Sequence, residues 1–468
     1  MSIAEHRRSL TGRELLCPVL TPSDRLSVSE AGELYIEGVP ASRLVEEYGS
    51  PLVVSVAGTV AGNYRRLERA FASCWPGETA ILYSFKSNNS LAYRNLLSRL
   101  GAGGDCFGEN ELRATLEAGT PPERIALNGS SKSPELIARA VGAGVTVNID
   151  GEEEIAFIAA AVGSGGKPAR ANLRLKVLPG SLPDFAPGMR AKPGGALEWV
   201  ERAKWGFLRE QAIALVREAL ATPAIELTGF SCHIGHLSCD PGAFAAVAGA
   251  FGEAVMEIAA ATGFQPRVLD IGGGWARERE PEQGMPSHPR HPIEEQARAA
   301  CDALGEAVAG LASLPALWVE PGRYLIGNGD VLLARVGAIK EDGGRRWLNL
   351  DISTNFLPRI ETGRFHYDVL AAERLNEVAD DRYEVVGETC FRSVIGENRL
   401  LPPMRRGDIV CILDAGMYSW SLSNNLNSLP RPANVLISED GGVDLVRRRE
   451  SFDDLFATQS VPERYKAK

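Results

Sequence analysis

The chain has 468 residues, 44% of them hydrophobic and 24% charged, and its 60 acidic against 50 basic side chains give a net charge of −10. These proportions belong to a folded globular protein and exclude bulk disorder or a fibrous chain. The acidic balance leaves no basic footprint for nucleic acid or an anionic membrane, and the length exceeds one barrel of about 250 residues by roughly 200.

The first ten residues carry His6, Arg7 and Arg8 with no apolar run behind them, so export is not expected and the cytoplasm is the expected location. Eight cysteines without a CxxC pair fit reduced thiols. Residues 26–28 and 34–36 flank the turn signal Glu30-Ala31-Gly32-Glu33 and read as strands.

From there, β-rich runs at 79–86, 104–107, 124–127, 145–149, 172–177, 226–233, 267–271 and 316–320 alternate with helical stretches at 91–100, 109–118, 134–141, 152–161, 210–219, 243–261 and 293–311. Eight such runs predict an α/β fold, a (β/α)8 TIM-type barrel, with an open doubly wound sheet as the alternative. The apolar stretch near 243–264 is interrupted by Glu253 and Glu257 and reads as an amphipathic helix that does not span a membrane. Loops 179–204 and 275–292 follow strands, which in a barrel puts them on the face where active sites are built.

Beyond residue 327, runs at 331–339, 347–352, 383–386, 409–413 and 433–437 are separated by turns with little helical pattern. They predict a mostly β C-terminal domain that the N-terminal strands join. The expected division is 1–57 with 326–468 in the β-domain and 58–325 in the barrel.

Lys86 closes the first barrel run in Tyr83-Ser84-Phe85-Lys86-Ser87-Asn88. A lysine on an apolar strand is costly unless it is paired or used covalently, as in an imine with a carbonyl cofactor. A surface lysine is the plainer alternative. Asp270-Ile271-Gly272-Gly273-Gly274 follows the seventh run, and three glycines can turn N–H groups toward an anion or simply make a tight turn. Glu320-Pro321-Gly322-Arg323 closes the eighth run with an acid and a base. Cys232, His233, His236 and Cys239 are zinc-type donors, but Cys232 and His233 are adjacent on a strand and face opposite sides, so no metal is expected.

Further motifs follow in order: Gly104-Asp105 with Glu111-Leu112, Ala203-Lys204-Trp205-Gly206-Phe207, Cys232-His233-Ile234-Gly235, Gly387 with Cys390, Asp414-Ala415-Gly416-Met417-Tyr418 and Asn427-Ser428-Leu429-Pro430-Arg431-Pro432. With these the chain resembles, over most of its length, the fold type III decarboxylases that use pyridoxal 5′-phosphate, the diaminopimelate and ornithine decarboxylase group. The resemblance implies an amino acid carboxy-lyase in which Lys86 holds the cofactor as a Schiff base. It further implies Glu320 against the pyridine nitrogen, His233 on the ring face, and Asp105 and Glu111 beside the lysine. The phosphate is expected on Gly272, Gly273 and Gly274, helped by Ser238, Arg323 and Tyr418. Cys390, which the family supplies to the partner site of a homodimer, is the expected acid toward the substrate carbon. Arg323, Arg359, Phe391, Arg392 and Tyr418 are the expected substrate contacts. A racemase on the same barrel and a non-catalytic cofactor-binding regulator are the alternatives.

In the diaminopimelate and ornithine enzymes an acid follows the cysteine and binds the distal amine; here Phe391 and Arg392 follow it. An arginine there repels a cationic tail and favours a carboxylate. The expected substrate is therefore a non-standard or conjugated amino acid of a specialised pathway such as siderophore or antibiotic assembly. Diaminopimelate, ornithine or lysine is the alternative, with Glu361 or Glu397 supplying the acid. Arg359 stands for a family arginine, with Gly363 where a tyrosine is usual, and His236 replaces a phosphate-binding serine for which Ser238 can compensate.

Overall fold

Eight parallel strands, Thr79–Ser84, Gly103–Cys106, Ile125–Leu127, Thr146–Ile149, Ala169–Arg174, Ile225–Ser231, Val268–Asp270 and Ala316–Val319, close into a barrel in sequence order. The structure is a computed structural model that describes residues 10–177, 179, 198, 201–233, 240–279, 291–360, 367–391 and 394–466. Leu317, Trp318 and Val319 of the eighth strand pair in parallel with Thr79, Ala80 and Ile81 of the first, which makes the sheet closed. All eight expected runs fall on strands, with ends displaced by up to three residues. One trim matters: the first strand ends at Ser84, and Lys86 sits in a single 3-10 turn, Phe85–Ser87.

The expected helices lie between the strands, and an unanticipated one, Ala57–Cys74, precedes the first. Local chemistry sets their ends. The Ser133 hydroxyl accepts from Leu136 N–H, Pro134 opens the helix Pro134–Ala143, and Gly144 ends it at φ 77°. Asp240 caps Pro241–Thr262 in the same way. That 22-residue helix is long and apolar enough to cross a membrane by length and composition alone, and half of its most apolar stretch is buried within the protein. Phe244, Val247, Phe251, Val255 and Ile258 are buried along it. A Cβ on Gly252 would come within 2.5 Å of Ala307 Cβ, so this helix packs closely on Ile293–Ala307 as a barrel-covering element.

The chain divides into two compact units, with the boundaries at Thr59/Val60 and Gly327/Asn328. The barrel is one. The other is built on a nine-stranded sheet whose main path runs Val394–Leu401, Asp381–Val386, Arg345–Leu350, Asp330–Asp342, Leu52–Val56, Ala433–Ile437 and Val443–Arg447; Ile409–Ile412 pairs with Asp330–Asp342 and with Val369–Ala371. The N-terminal strands fall in this unit but keep a sheet of their own. Leu26–Val28 and Leu34–Ile36 make a separate three-stranded sheet with Val39–Pro40, and it is Leu52–Val56 that enters the large sheet. Every residue of Leu52–Val56 is buried, as a central strand covered on both faces requires. Leu34 and Ile36 pack into the same core as Leu52, Val54, Val435 and Cys411.

Candidate active site

Three acids and a lysine meet at the C-terminal ends of barrel strands. Register puts Ser84 opposite Asp105, and both reach the turn that carries Lys86. Lys86 Nζ and Ser84 Oγ donate to Asp105 Oδ2 at 2.7 and 2.6 Å, and Asn128 Nδ2 donates to Asp105 Oδ1 at 2.8 Å. Burial alone would raise Asp105, but the Lys86 charge and these hydrogen bonds outweigh it and hold the carboxyl below its ordinary value. The Lys86 ammonium also stands 4.4 Å over the Phe107 ring, and its side chain keeps 36% of its surface exposed, so it is paired yet reachable.

Glu320, just past the eighth strand, accepts from Asn128 Nδ2 at 2.6 Å. Burial, then the charges of Asp105 and Asp270, push it well above the usual carboxylate range. Asp270 is fully buried at the end of the seventh strand and accepts Gly272 N–H at 2.9 Å; burial pushes it up to about 7. Glu111 stands one step back, accepting Phe107 N–H at 2.8 Å, and burial raises it too.

The glycine run forms a loop no other residue could build. Gly272 and Gly274 have φ of 71° and 97°, and a Cβ on Gly273 would lie 2.2 Å from Glu320 O. Two of its amides are already engaged: Gly272 N–H by Asp270, and Gly273 N–H by His233 Nδ1 at 3.2 Å. All three amides were expected to face an anion; the fold commits the first to a carboxylate and places His233 against the second. Trp275 pins the loop from behind. Its indole N–H donates to Gly272 O at 3.1 Å, and its ring stacks on Phe244 and meets Phe71 edge-on.

These residues fit pyridoxal phosphate. An accessible amine with a counter-charge, a buried acid suited to a protonated ring nitrogen, and a side-chain-free loop at a strand end are the donor set the cofactor needs. Arg323 is buried at the head of the short helix Arg323–Ile326. Ser238, His236, Cys239, Glu361, Gly363 and Arg392 lie outside the described residues.

The β-unit gathers the remaining expected residues from three segments. The Arg359 guanidinium stands 5.1 Å over the Tyr418 ring, Phe356 meets Trp420 edge-on at 4.7 Å, and Asn424 N–H donates to Asn355 O at 2.9 Å. Tyr418 is held at φ 60°, a left-handed backbone rare for an aromatic residue. Cys390 is exposed, with its N–H donating to Asn427 Oδ1 at 3.2 Å, and Phe391 is 52% exposed beside it. Thr389 is buried through a 2.6 Å hydroxyl pair with Ser353, while Glu388 and Cys390 on either side of it are exposed. Glu397 is exposed on the strand Val394–Leu401.

Sequence reasoning missed Ser84, Asn128 and Asp270 as members of this cluster. A polar side chain at the C-terminal end of a barrel strand was the available signal for all three.

Residues 58–327 match the model of the pyridoxal-dependent decarboxylase family, pyridoxal binding domain. Among curated relatives, the diaminopimelate decarboxylase of Methanothermobacter thermautotrophicus is 31% identical over 453 residues, 94% of this chain and 98% of that protein. That of Archaeoglobus fulgidus is 31% identical over 92% of this chain and 98% of its own length. Among solved structures, the diaminopimelate decarboxylase of Methanocaldococcus jannaschii superposes with a TM-score of 0.83 at 26% identity, covering 94% of this chain and 98% of that one. On this match the chain belongs to the fold type III pyridoxal-dependent decarboxylases, in their diaminopimelate decarboxylase branch, and is an amino acid carboxy-lyase that uses pyridoxal 5′-phosphate.

Proposed function

We propose that the chain is a cytoplasmic homodimer that decarboxylates meso-diaminopimelate or a close analogue, releasing CO2 from the carbon that bears the amine. The observation that carries the reading is the Lys86–Asp105 pair facing the buried Glu320 at the barrel's strand ends; full-length similarity to diaminopimelate decarboxylases supports the substrate. Pyridoxal phosphate, when bound, supplies a conjugated ring that takes up the electron pair left by the departing carboxylate.

The chain's own residues do the rest. Lys86 Nζ is the attachment point, and Asp105 balances its charge whenever the amine is free and protonated. Glu320 would hold a proton at the ring nitrogen, and His233 would stand beside the ring. The glycine loop, with Arg323 and Tyr418, takes the phosphate. Cys390 Sγ–H delivers the proton to the substrate carbon after CO2 has left, a general-acid role open to a thiol near neutral pH. In this reading Cys390, Arg359 and Tyr418 serve the neighbouring subunit's site. Glu388, exposed two positions before Cys390, takes the distal amine in place of the acid missing after the cysteine, and Arg359 takes the distal carboxylate.

A second reading is favoured by Phe391, which stands exposed where that acid is usual: a conjugated or carboxylate-tailed amino acid without a free distal amine. CO2 release and product mass from meso-diaminopimelate, L- and D-ornithine, L- and D-lysine and glutamate-type conjugates separate the two. Fast turnover of meso-diaminopimelate, with a KM that rises about tenfold in Glu388→Gln, is expected from the first reading. Turnover of conjugates alone would overturn it.

A further inference from the structure

A line of buried side chains crosses the barrel interior beside the site. Asn128 Nδ2 donates to Asp105 Oδ1 at 2.8 Å and to Glu320 Oε1 at 2.6 Å. Its Oδ1 accepts from Asn148 Nδ2 at 2.9 Å, Asn148 Oδ1 accepts from Asn172 Nδ2 at 3.0 Å, and Asn172 Oδ1 accepts the Thr228 hydroxyl at 2.6 Å. The line runs from Asn128, just past the strand Ile125–Leu127, through the next three strands. Asn148 and Asn172 are register partners, and Thr228 sits at the irregularity between Leu227 and Gly229, which aims its hydroxyl at Asn172.

The line has a direction. Both hydrogens of the Asn128 amide face carboxylates, so a flipped amide would put Oδ1 against two acids and its own NH2 against that of Asn148. Each later asparagine is then oriented by the one before it.

We propose that Asn128 is a positioning residue for the decarboxylation, tying the acid beside Lys86 to the acid at the ring nitrogen through one amide, with Asn148, Asn172 and Thr228 holding that amide in place. This rests on the roles proposed above for Lys86 and Glu320.

The groups around Glu320 show why such a tie is needed. Asp105 and Asp270 both push a proton onto it, Lys86 opposes them, and Cys232 lies within electrostatic reach of the same cluster. Asn128 donates to two of these acids through one nitrogen. Without it, Glu320 faces two carboxyl groups with one donor fewer, holds its proton more tightly still, and gives a negative charge to the cofactor less readily.

The test compares wild type, Asn128→Ala, Asn128→Asp and Asn148→Ala as holoenzymes, with Lys86→Ala alongside. The readouts are cofactor affinity by fluorescence titration and the pH dependence of the bound cofactor's absorbance, with far-UV circular dichroism reporting the fold. Asn128→Ala is expected to bind cofactor about tenfold more weakly and to shift the absorbance transition by about one pH unit. Asn148→Ala shifts it the same way by less. Asn128→Asp keeps the shape but adds a third negative charge, and loses more affinity than Asn128→Ala; it also serves if the alanine variant does not fold. A wild-type absorbance titration in Asn128→Ala or Asn128→Asp, or a loss of stability alone, overturns the proposal. If Lys86→Ala leaves the absorbance of bound cofactor unchanged, the reading of the site fails instead.

Discussion

Asp270 has no exposed surface, and its neighbours decide when it ionises. Burial pushes it up to about 7, and burial together with the charges of Asp105 and Asp270 raises Glu320 well above its ordinary value. A carboxyl raised above its unfolded value of about 3.9 keeps its proton in the native state while the unfolded chain has already lost it. Native stability contributed by that proton is full below about pH 4 and declines as pH rises through the folded value. The cofactor-free protein is therefore expected to be more stable at pH 5 than at pH 8, by roughly 2–4 kcal/mol from Asp270 alone. Asp105 works the other way: lowered in the folded state, it contributes above its unfolded value and loses that contribution only as pH falls through its folded one. Urea unfolding at several pH values checks the balance, and Asp270→Asn should flatten the slope between pH 5 and 8. A cofactor-free protein that gains stability over that interval would contradict the assignment.

At the scale of elements, the glycine loop shows how a catalytic feature is held by parts remote from the chemistry. Trp275 is fully buried, its ring centroid 4.6 Å from Phe244 and 4.8 Å from Phe71, so the helices Pro241–Thr262 and Ala57–Cys74 fix the loop that follows the seventh strand. Trp275→Phe keeps a ring and removes the donor to Gly272 O, and should cost about 1 kcal/mol in chemical denaturation. Trp275→Ala also opens a cavity and should cost about 3–5 kcal/mol, with weaker cofactor binding. Equal effects of the two would mean that the hydrogen bond, and not the stacking, sets the loop.

The eight barrel strands were legible because each is a short β-rich run between helical stretches, and Lys86, Glu320 and the glycines because their positions at strand ends are local facts. Leu52–Val56 was not, because a strand buried on both faces has no alternation and here it runs straight into a helix. The asparagine line was not, because one asparagine in a strand reads as a weak strand former. Only register across neighbouring strands turns Asn128, Asn148 and Asn172 into a line.

The whole chain is longer than a barrel by about 200 residues, and the division into units says where that length goes. Lys86, Asp105, Asn128, Asp270 and Glu320 all belong to the barrel unit, whereas Arg359, Glu388, Cys390 and Tyr418 all belong to the β-unit. If each site of a homodimer takes the barrel unit of one subunit and the cysteine segment of the other, a defect in either set can be complemented. Lys86→Ala and Cys390→Ala each spoil both sites of their own dimer. In a hybrid dimer both defects fall on one site and the other site is intact. Random exchange of an equal mixture makes half of the dimers hybrid, so activity should recover to about a quarter of wild type on a symmetric two-site model. Co-expression with two affinity tags isolates the hybrids, whose CO2 release should be about half of wild type on the same two-site model. Hybrids no more active than the parents would mean that each subunit completes its own site.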